Sequence, residues 1–153
     1  VQFVSKEPYR IIVSGRIKHY TSAFGEHVIA SEVEAALKAS VAETDARVVE
    51  FTVAPQIAPS EGLPYHEWLI EFDHKPADMD QFSMLIDKSM QQKNIYYADL
   101  IKGKVLRPLV ITAIKPGGFT EYMKSIGRLG GQNKVSRLSN DRKIADALRE
   151  CSE

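Results

Sequence analysis

The sequence has little of what several classes of protein require. Its 153 residues contain one cysteine, Cys151, so no internal disulfide can form, which fits a cytoplasmic location. No apolar run approaches the roughly 20 residues of a membrane-spanning helix, and no signal segment opens the chain. The 20 Lys and Arg residues balance the 20 Asp and Glu residues, so no global field would draw the chain to nucleic acid or to an anionic membrane.

What is present suffices for one compact domain. Hydrophobic residues make up 44% of the chain and charged residues 26%, which are ordinary globular values. At this length a folded chain buries about two thirds of its extended surface. The first residues, Val-Gln-Phe-Val, include no initiator Met and already have strand-like character, so we expect a piece of a longer protein.

Apolar periodicity predicts the order β-β-α-β-β-α-β-α-loop-α. The best-defined elements are a helix over 31–43, strands over 47–53 and 65–73, a helix over 78–92 and a strand over 109–114. The first two of these strands are expected to pair as an antiparallel hairpin with a long loop. The order indicates an α+β fold, a mostly antiparallel sheet with helices packed on it.

Side chains at the predicted helix starts and strand ends refine these boundaries. Ser31 with Glu34 has the spacing of a capping box, and Asp78 with Gln81 has another cap signature. Pro55 is expected to end the preceding strand, because proline cannot donate a hydrogen bond to a sheet. Ser139 is expected to cap the last helix.

The segment 128–137, Arg-Leu-Gly-Gly-Gln-Asn-Lys-Val-Ser-Arg, combines a flexible backbone with positive charge. Adjacent glycines permit close approach of the backbone, and Lys134 and Arg137 supply cations, a combination that suits phosphate binding. The segment lacks the spacing of a P-loop. On these residues alone, a solvated surface loop after a helix end is the favoured interpretation.

Histidines in this chain do not have the spacing of a metal site. His19 and His27 belong to a charged turn region that leads into the helix over 31–43, and ordinary hairpin chemistry would explain both. His66 and His74 flank a predicted strand and are expected at the surface or at an edge. With the only cysteine remote from all four, we expect no protein-held metal.

Two motifs together carry a resemblance to a known family. The residues 15–19 (Gly-Arg-Ile-Lys-His), 25–26 (Gly-Glu) and 32–34 (Glu-Val-Glu) resemble the opening of the C-terminal domain of adenylate-forming enzymes. The loop 130–137 resembles the catalytic-lysine loop of that superfamily. In detail the chain is similar, over about 9–148, to the bacterial branch of the auxin-responsive Gretchen Hagen acyl acid amido synthetases.

The resemblance implies a two-domain ligase of which this chain is the C-terminal part. Residues 1–15 would be a linker or hinge strand and residues 16–153 a lid domain. A separate N-terminal adenylation domain would hold most of the ATP, Mg²⁺ and substrate contacts. The enzyme would convert a carboxylic acid and ATP into an acyl-adenylate and then transfer the acyl group to an amino acid amine. The isolated chain would be inactive.

The resemblance also implies roles for individual residues. Lys134 matches the catalytic lysine, and Lys18, with Arg16 beside it, matches the hinge. The expected phosphate-binding residues are Asn133, Arg137, Gly130 and Gly131. The expected acceptor-side turn consists of Gly25, Glu26 and His27. Ser136 departs from the family, which usually has proline there; serine leaves φ free and puts the loop geometry in doubt.

Two other function classes fit parts of the sequence. A stand-alone α+β regulatory module could use the loop 130–137 to hold a nucleotide or another anion without catalysis. An RNA-binding ferredoxin-like domain fits less well, because the net charge is zero and no strand has the required aromatic pattern. An upstream reading frame long enough for further domains would discriminate the ligase from the stand-alone module.

Overall fold

The structure is a computed structural model that describes residues 2–12, 20–128, 130 and 133–150. Its strands are β1 (Gln2–Lys6), β2 (Tyr9–Ile12), β3 (Tyr20–Thr21), β4 (Val28–Ile29), β5 (Arg47–Gln56), β6 (Tyr65–His74) and β7 (Val110–Ile114). Its helices are α1 (Ala30–Ala42), α2 (Met79–Lys93), α3 (Ile95–Lys102), α4 (Gly118–Ser125) and α5 (Lys143–Arg149). The predicted α+β class is confirmed.

The main sheet has the order β5-β6-β7. β5 and β6 pair antiparallel, with Val53 opposite Trp68, as the sequence predicts. β7 pairs parallel to β6, with Ile111 opposite Trp68, so the sheet is mixed. A parallel neighbour requires a crossover, and α2 and α3 lie in the connection between β6 and β7.

A further segment, residues 136–139, lies along the outer edge of β5. The Val53 amide donates to the Arg137 carbonyl at 3.0 Å, and the Ser139 amide donates to the Val53 carbonyl at 3.0 Å. The Thr52 hydroxyl donates to the Ser136 carbonyl at 2.7 Å. We call residues 136–139 the edge segment; it pairs the edge that β5 would otherwise leave open.

Pro55 does not end β5, contrary to the prediction. Amides two residues apart on a strand point to the same side, and the Val53 amide points toward the edge segment. The missing N–H of Pro55 therefore faces the outer edge, and the ladder to β6 loses no hydrogen bond there. β5 continues through Pro55 to Gln56.

Two hydrophobic clusters lie on opposite faces of the sheet. One contains Trp68 and Ile70 of β6 with residues of α1 and α2, among them Val33 and Phe82. The other contains Leu69, between them in sequence, with residues of β7, α4 and α5. Because neighbouring side chains on a strand point to opposite faces, helices cover both faces of the sheet.

Two predicted helix caps are wrong. α1 begins at Ala30, and the carboxylate of Glu32 accepts from the Ile29 amide at 3.0 Å, so Ser31 and Glu34 do not form the capping box. α5 begins at Lys143 with Arg142 as its N-cap, and Ser139 instead belongs to the segment that pairs with β5. None of the helices within the described ranges has the length and apolar character that crossing a bilayer demands.

The predicted cap of α2 is confirmed. The Asp78 carboxylate accepts from the Gln81 amide at 2.9 Å. The ambiguous region that follows forms α3, with Asn94 as its cap: the Asn94 side-chain oxygen accepts from the Tyr97 amide at 2.8 Å. The Asn94 side-chain nitrogen donates to the Glu26 carbonyl at 3.0 Å. One asparagine therefore joins the start of α3 to the turn before α1.

Candidate functional site

Lys134 lies in the stretch between α4 and the edge segment. Its side chain and that of Asn133 are exposed. The Asn133 amide donates to the Gly130 carbonyl at 2.9 Å, which places Gly130 next to the lysine in a tight turn. Gly131 lies outside the described residues. The structure thus brings Lys134, Asn133 and Gly130 together at one surface.

That surface borders a groove of about 350 Å³. Apolar side chains of α4 and of the loop, including Phe119, Met123 and Val135, line part of it, and Lys134 and Arg128 supply its positive charge. No carboxylate forms an ion pair with either cation among the described residues. A ligand that carries negative charge next to an apolar group would match this lining.

Two carboxylates also line the groove, and both are already engaged. Glu71 accepts from the Gly117 amide at 2.8 Å and from the Phe119 amide at 3.2 Å, and so caps the start of α4. Glu50 is bound by the guanidinium of Arg137. Arg137 therefore offsets the charge of Glu50, whereas Glu71, which is bound only by neutral amides, keeps its negative charge at the groove.

Arg137 lies against the sheet rather than in open solvent. Its guanidinium contacts Glu50, donates to the Phe51 carbonyl at 3.1 Å and donates to Glu34 at 3.3 Å. The guanidinium carbon also lies 4.6 Å from the centroid of the Phe51 ring. These contacts make Arg137 an anchor of the edge segment, and its predicted contact with phosphate stays a prediction.

Ser136 occupies the position where the family usually has proline. Its hydroxyl donates to the Leu138 carbonyl at 2.7 Å, and its carbonyl accepts the Thr52 hydroxyl at 2.7 Å. Hydrogen bonds thus restrain the backbone that a proline ring would otherwise restrain.

The expected acceptor-side turn connects β3 to β4, in which Thr21 pairs with Val28. Gly25 has φ of 89° and His27 has φ of 48°, so the backbone is left-handed at both residues. Glycine adopts this conformation without steric cost, whereas for histidine it is uncommon. Both residues are exposed.

Glu26, between them, points into the protein. Its side chain is fully buried; one carboxylate oxygen lies 2.9 Å from Nε2 of His66, and the other accepts from the Phe24 amide at 2.8 Å. Burial alone would raise the pKa of Glu26, but its hydrogen bond to His66 and bonds from backbone amides lower the pKa overall. Glu26 therefore fastens the turn to the sheet.

The prediction that His66 lies at the surface is wrong, since it is 1% exposed. The sequence did contain a signal for this burial. His66 lies on the same face of β6 as Trp68 and Ile70, the apolar residues whose alternation predicted the strand. His74 is exposed, as expected, with Nε2 at 3.3 Å from a carboxylate oxygen of Asp45.

The hinge candidates Arg16 and Lys18 lie outside the described residues. The chain just after them is bonded to the edge segment and the residue that follows it. The Thr21 hydroxyl donates to the Ser139 carbonyl at 2.6 Å, and the Ser22 amide donates to the side-chain oxygen of Asn140 at 2.8 Å. The turn with Gly25 and the stretch after Lys134 are thereby joined.

Sequence reasoning missed Glu67, which is fully buried on β6. It accepts from Thr112 at 2.6 Å, from Arg142 at 2.6 Å and from Arg149 at 2.9 Å. Burial would raise its pKa, but these three hydrogen bonds outweigh that effect and lower the pKa of Glu67. The carboxylate thus holds α5, which follows the edge segment, onto the sheet.

Replacing Arg137 with lysine tests its role as an anchor. Arg137→Lys is expected to destabilise the domain by about 1–2 kcal/mol, because an ammonium group cannot reproduce the fork of contacts or the stacking on Phe51. Urea denaturation would measure it. Arg47→Lys is the matched control, since Arg47 and its partner Asp73 are 69% and 62% exposed. Equal losses in the two variants would contradict the anchor role.

The chain thus forms a small α+β domain with an exposed lysine in a loop that is fastened to the edge of its sheet. Residues 31–143 match the family model described as "GH3 family C-terminal domain", and the chain belongs to this family. GH3 abbreviates the Gretchen Hagen family, so the family-level resemblance is confirmed. A search of the curated proteins found no match.

Solved structures show the same fold. A GH3.15 acyl acid amido synthetase superposes with a TM-score of 0.71 at 18% identity, over 91% of this chain and 27% of that chain. An AtGH3.15 acyl acid amido synthetase in complex with 2,4-DB gives a TM-score of 0.70 at 19% identity, over 91% and 26%. The chain therefore spans about a quarter of the length of these structures.

Proposed function

We propose that this chain is the C-terminal lid of a cytoplasmic, ATP-dependent acyl acid amido synthetase of the bacterial branch. Residues 1–15 would be the linker and residues 16–153 the lid. The observation that supports this proposal is the placement of Lys134, exposed and unpaired among the described residues beside a groove, on a loop fastened to the sheet. Its partner is an N-terminal adenylation domain of the same polypeptide.

In the first half-reaction, a carboxylate oxygen of the acid attacks the α-phosphorus of ATP and pyrophosphate leaves. Lys134 would donate from Nζ to the α-phosphate as charge redistributes on its oxygens. The side chain of Asn133 and the backbone of Gly130 and Gly131 would bind other phosphate oxygens. Arg137 would hold the loop that presents them.

Magnesium would accompany ATP and neutralise phosphate charge. Within the part of the chain that the structure describes, no group of three acidic, histidine or cysteine side chains is arranged to hold a metal ion. The residues at this groove therefore do not fit the ion, and we assign no step to it here. Its ligands would belong mainly to the N-terminal domain.

In the second half-reaction, an amino acid amine attacks the acyl carbon and AMP leaves. Rotation at Lys18 and Arg16 would exchange the Lys134 loop for the turn of Gly25 and His27 at the acyl-adenylate. Because the carboxylate of Glu26 is buried against His66, the backbone at Gly25 and the side chain of His27 would form the surface that meets the substrates.

The isolated chain is expected to fold yet to catalyse no ATP–pyrophosphate exchange with a panel of carboxylic acids, whereas the polypeptide that includes its N-terminal domain does. Circular dichroism would verify folding. Clear turnover by the isolated chain would contradict the two-domain proposal. Nucleotide binding by the isolated chain, with no exchange by the longer polypeptide, would instead favour the stand-alone regulatory module.

A further inference from the structure

His27 has a backbone conformation that few side chains adopt. Its φ of 48° is left-handed, and it is one of two non-glycine residues with positive φ in the described part of the chain. His27 is exposed, so burial in the hydrophobic core does not account for this conformation. Strained exposed residues of this kind are concentrated at functional sites.

The ring of His27 is held on two sides. Nδ1 lies 3.1 Å from the Ser22 hydroxyl, and the Ser22 amide is in turn bonded to Asn140 at 2.8 Å. The ring of Tyr96, on α3, packs edge-to-face against it, with centroids 6.3 Å apart and planes at 82°. Contacts from three parts of the chain thus determine where Nε2 points.

Nε2 of His27 has no hydrogen-bond partner among the residues that the structure describes. The other two described histidines differ in this respect. Nε2 of His66 is buried against Glu26, and Nε2 of His74 is engaged by Asp45. His27 therefore combines an oriented ring with an available nitrogen, which is the arrangement that a general base requires.

We propose that His27 is the general base of the aminolysis step, an inference that rests on the proposed function. This role requires the tautomer in which Nδ1–H donates to the Ser22 hydroxyl and Nε2 carries the lone pair. As the amine nitrogen bonds to the acyl carbon, its proton passes to Nε2. The bond from that carbon to the phosphate oxygen then breaks, and AMP leaves with the electron pair. Ser22 and Asn140 are positioning residues.

The charged groups around His27 leave Nε2 as the available base in this turn. Glu26 directs its carboxylate to His66, and Glu32 of α1 directs its carboxylate to the Ile29 amide and the Asn94 side chain. From α3, Tyr96 presents its ring.

The test is His27→Asn in the full polypeptide, because asparagine tolerates left-handed backbone but cannot titrate. We expect aminolysis of pre-formed acyl-adenylate to slow about 100-fold. Pyrophosphate exchange should stay within about twofold, since no proton transfer from the amine occurs in that step. Ser22→Ala should slow aminolysis to a smaller degree.

Two further variants discriminate catalysis from structure. Imidazole in the buffer should restore aminolysis to His27→Gly, and His74→Asn, the control at another exposed histidine, should change neither half-reaction. Normal aminolysis by His27→Asn in a polypeptide that exchanges pyrophosphate would overturn the role of His27 and leave the proposed function intact. Absence of exchange by the unaltered polypeptide would overturn both.

Discussion

Lys134→Ala should lower ATP–pyrophosphate exchange by the full polypeptide about 100- to 1,000-fold, the usual effect of removing one donor to developing charge. The ammonium group of Lys134 is exposed at a groove, and no described carboxylate neutralises it. Aminolysis of supplied acyl-adenylate should survive, because Lys134 is proposed to stabilise charge in the adenylation step, and the supplied acyl-adenylate bypasses that step. Radiolabelled pyrophosphate incorporation would measure the first step, and amide formation would measure the second.

The controls for this prediction lie in the same part of the chain. Lys143→Ala removes a lysine that is 88% exposed and should leave exchange unchanged. Lys134→Arg should rescue poorly, because a planar guanidinium does not reproduce a compact ammonium group. The stability of the Lys134→Ala domain should stay within about 0.5 kcal/mol of the wild type. If Lys134→Ala exchanges pyrophosphate at the wild-type rate, Lys134 has no catalytic role and the loop is an ordinary solvated surface loop.

Glu67→Gln should cost the isolated domain about 3 kcal/mol of unfolding free energy, measured by urea denaturation. The substitution takes the buried carboxylate away from the Arg142 side chain, which is only 17% exposed, and leaves it the solvent-exposed carboxylate of Asp146. Arg149, which is 44% exposed, would contribute less to the loss because solvent screens it. The expected local result is release of α5 from β6.

Asp73→Asn is the matched control for Glu67→Gln, since Asp73 lies on the same strand and pairs with Arg47 in a solvent-exposed bridge. It should cost at most about 1 kcal/mol. Similar losses of unfolding free energy in the two variants would contradict the proposal that Glu67 holds α5 onto the sheet. Hydrogen exchange of amides in α5 would locate the effect: protection there should fall in Glu67→Gln and persist in Asp73→Asn.

The contribution of Glu67 to the free energy of unfolding should also depend on pH. Its pKa in the folded protein is lowered from the ordinary value of 4.5, so the folded state binds the proton less readily than the unfolded state does. This stabilisation is present above about pH 4.5 and disappears as the pH falls through the folded pKa. The difference in stability between wild type and Glu67→Gln should therefore narrow in acid.

Local patterns predicted most of the regular elements. The alternation around Trp68 and the 3.6-residue spacing in α1 and α2 reflect burial of one side of each element, so they are visible without the rest of the chain. The edge segment was not visible in this way. Its residues pair with β5 through backbone groups of Arg137 and Ser139, and backbone pairing leaves no hydrophobic signature.

In the candidate site too, local sequence patterns identify some residues and miss others. The motif of the loop predicted that Lys134, Asn133 and Gly130 lie together, and the structure brings them to one surface, while their roles stay predictions. Glu67 could not be predicted, because a carboxylate in a strand is ordinarily placed at the surface, and its partners are 75 and 82 residues away for Arg142 and Arg149. Buried charge pairs depend on three-dimensional proximity that no short window of sequence contains.

The edge segment has a consequence for the order in which the domain can form. Thr52 and its partner Ser136 are 84 residues apart, so β5 has one unpaired side until residues 136–139 have left the ribosome. During synthesis that side is a strand edge on which another nascent chain can pair. Pairing of the edge segment with β5 thus both covers the open edge and anchors the loop that carries Lys134. A chain cut short before residue 136 would have neither the covered edge nor the anchored loop.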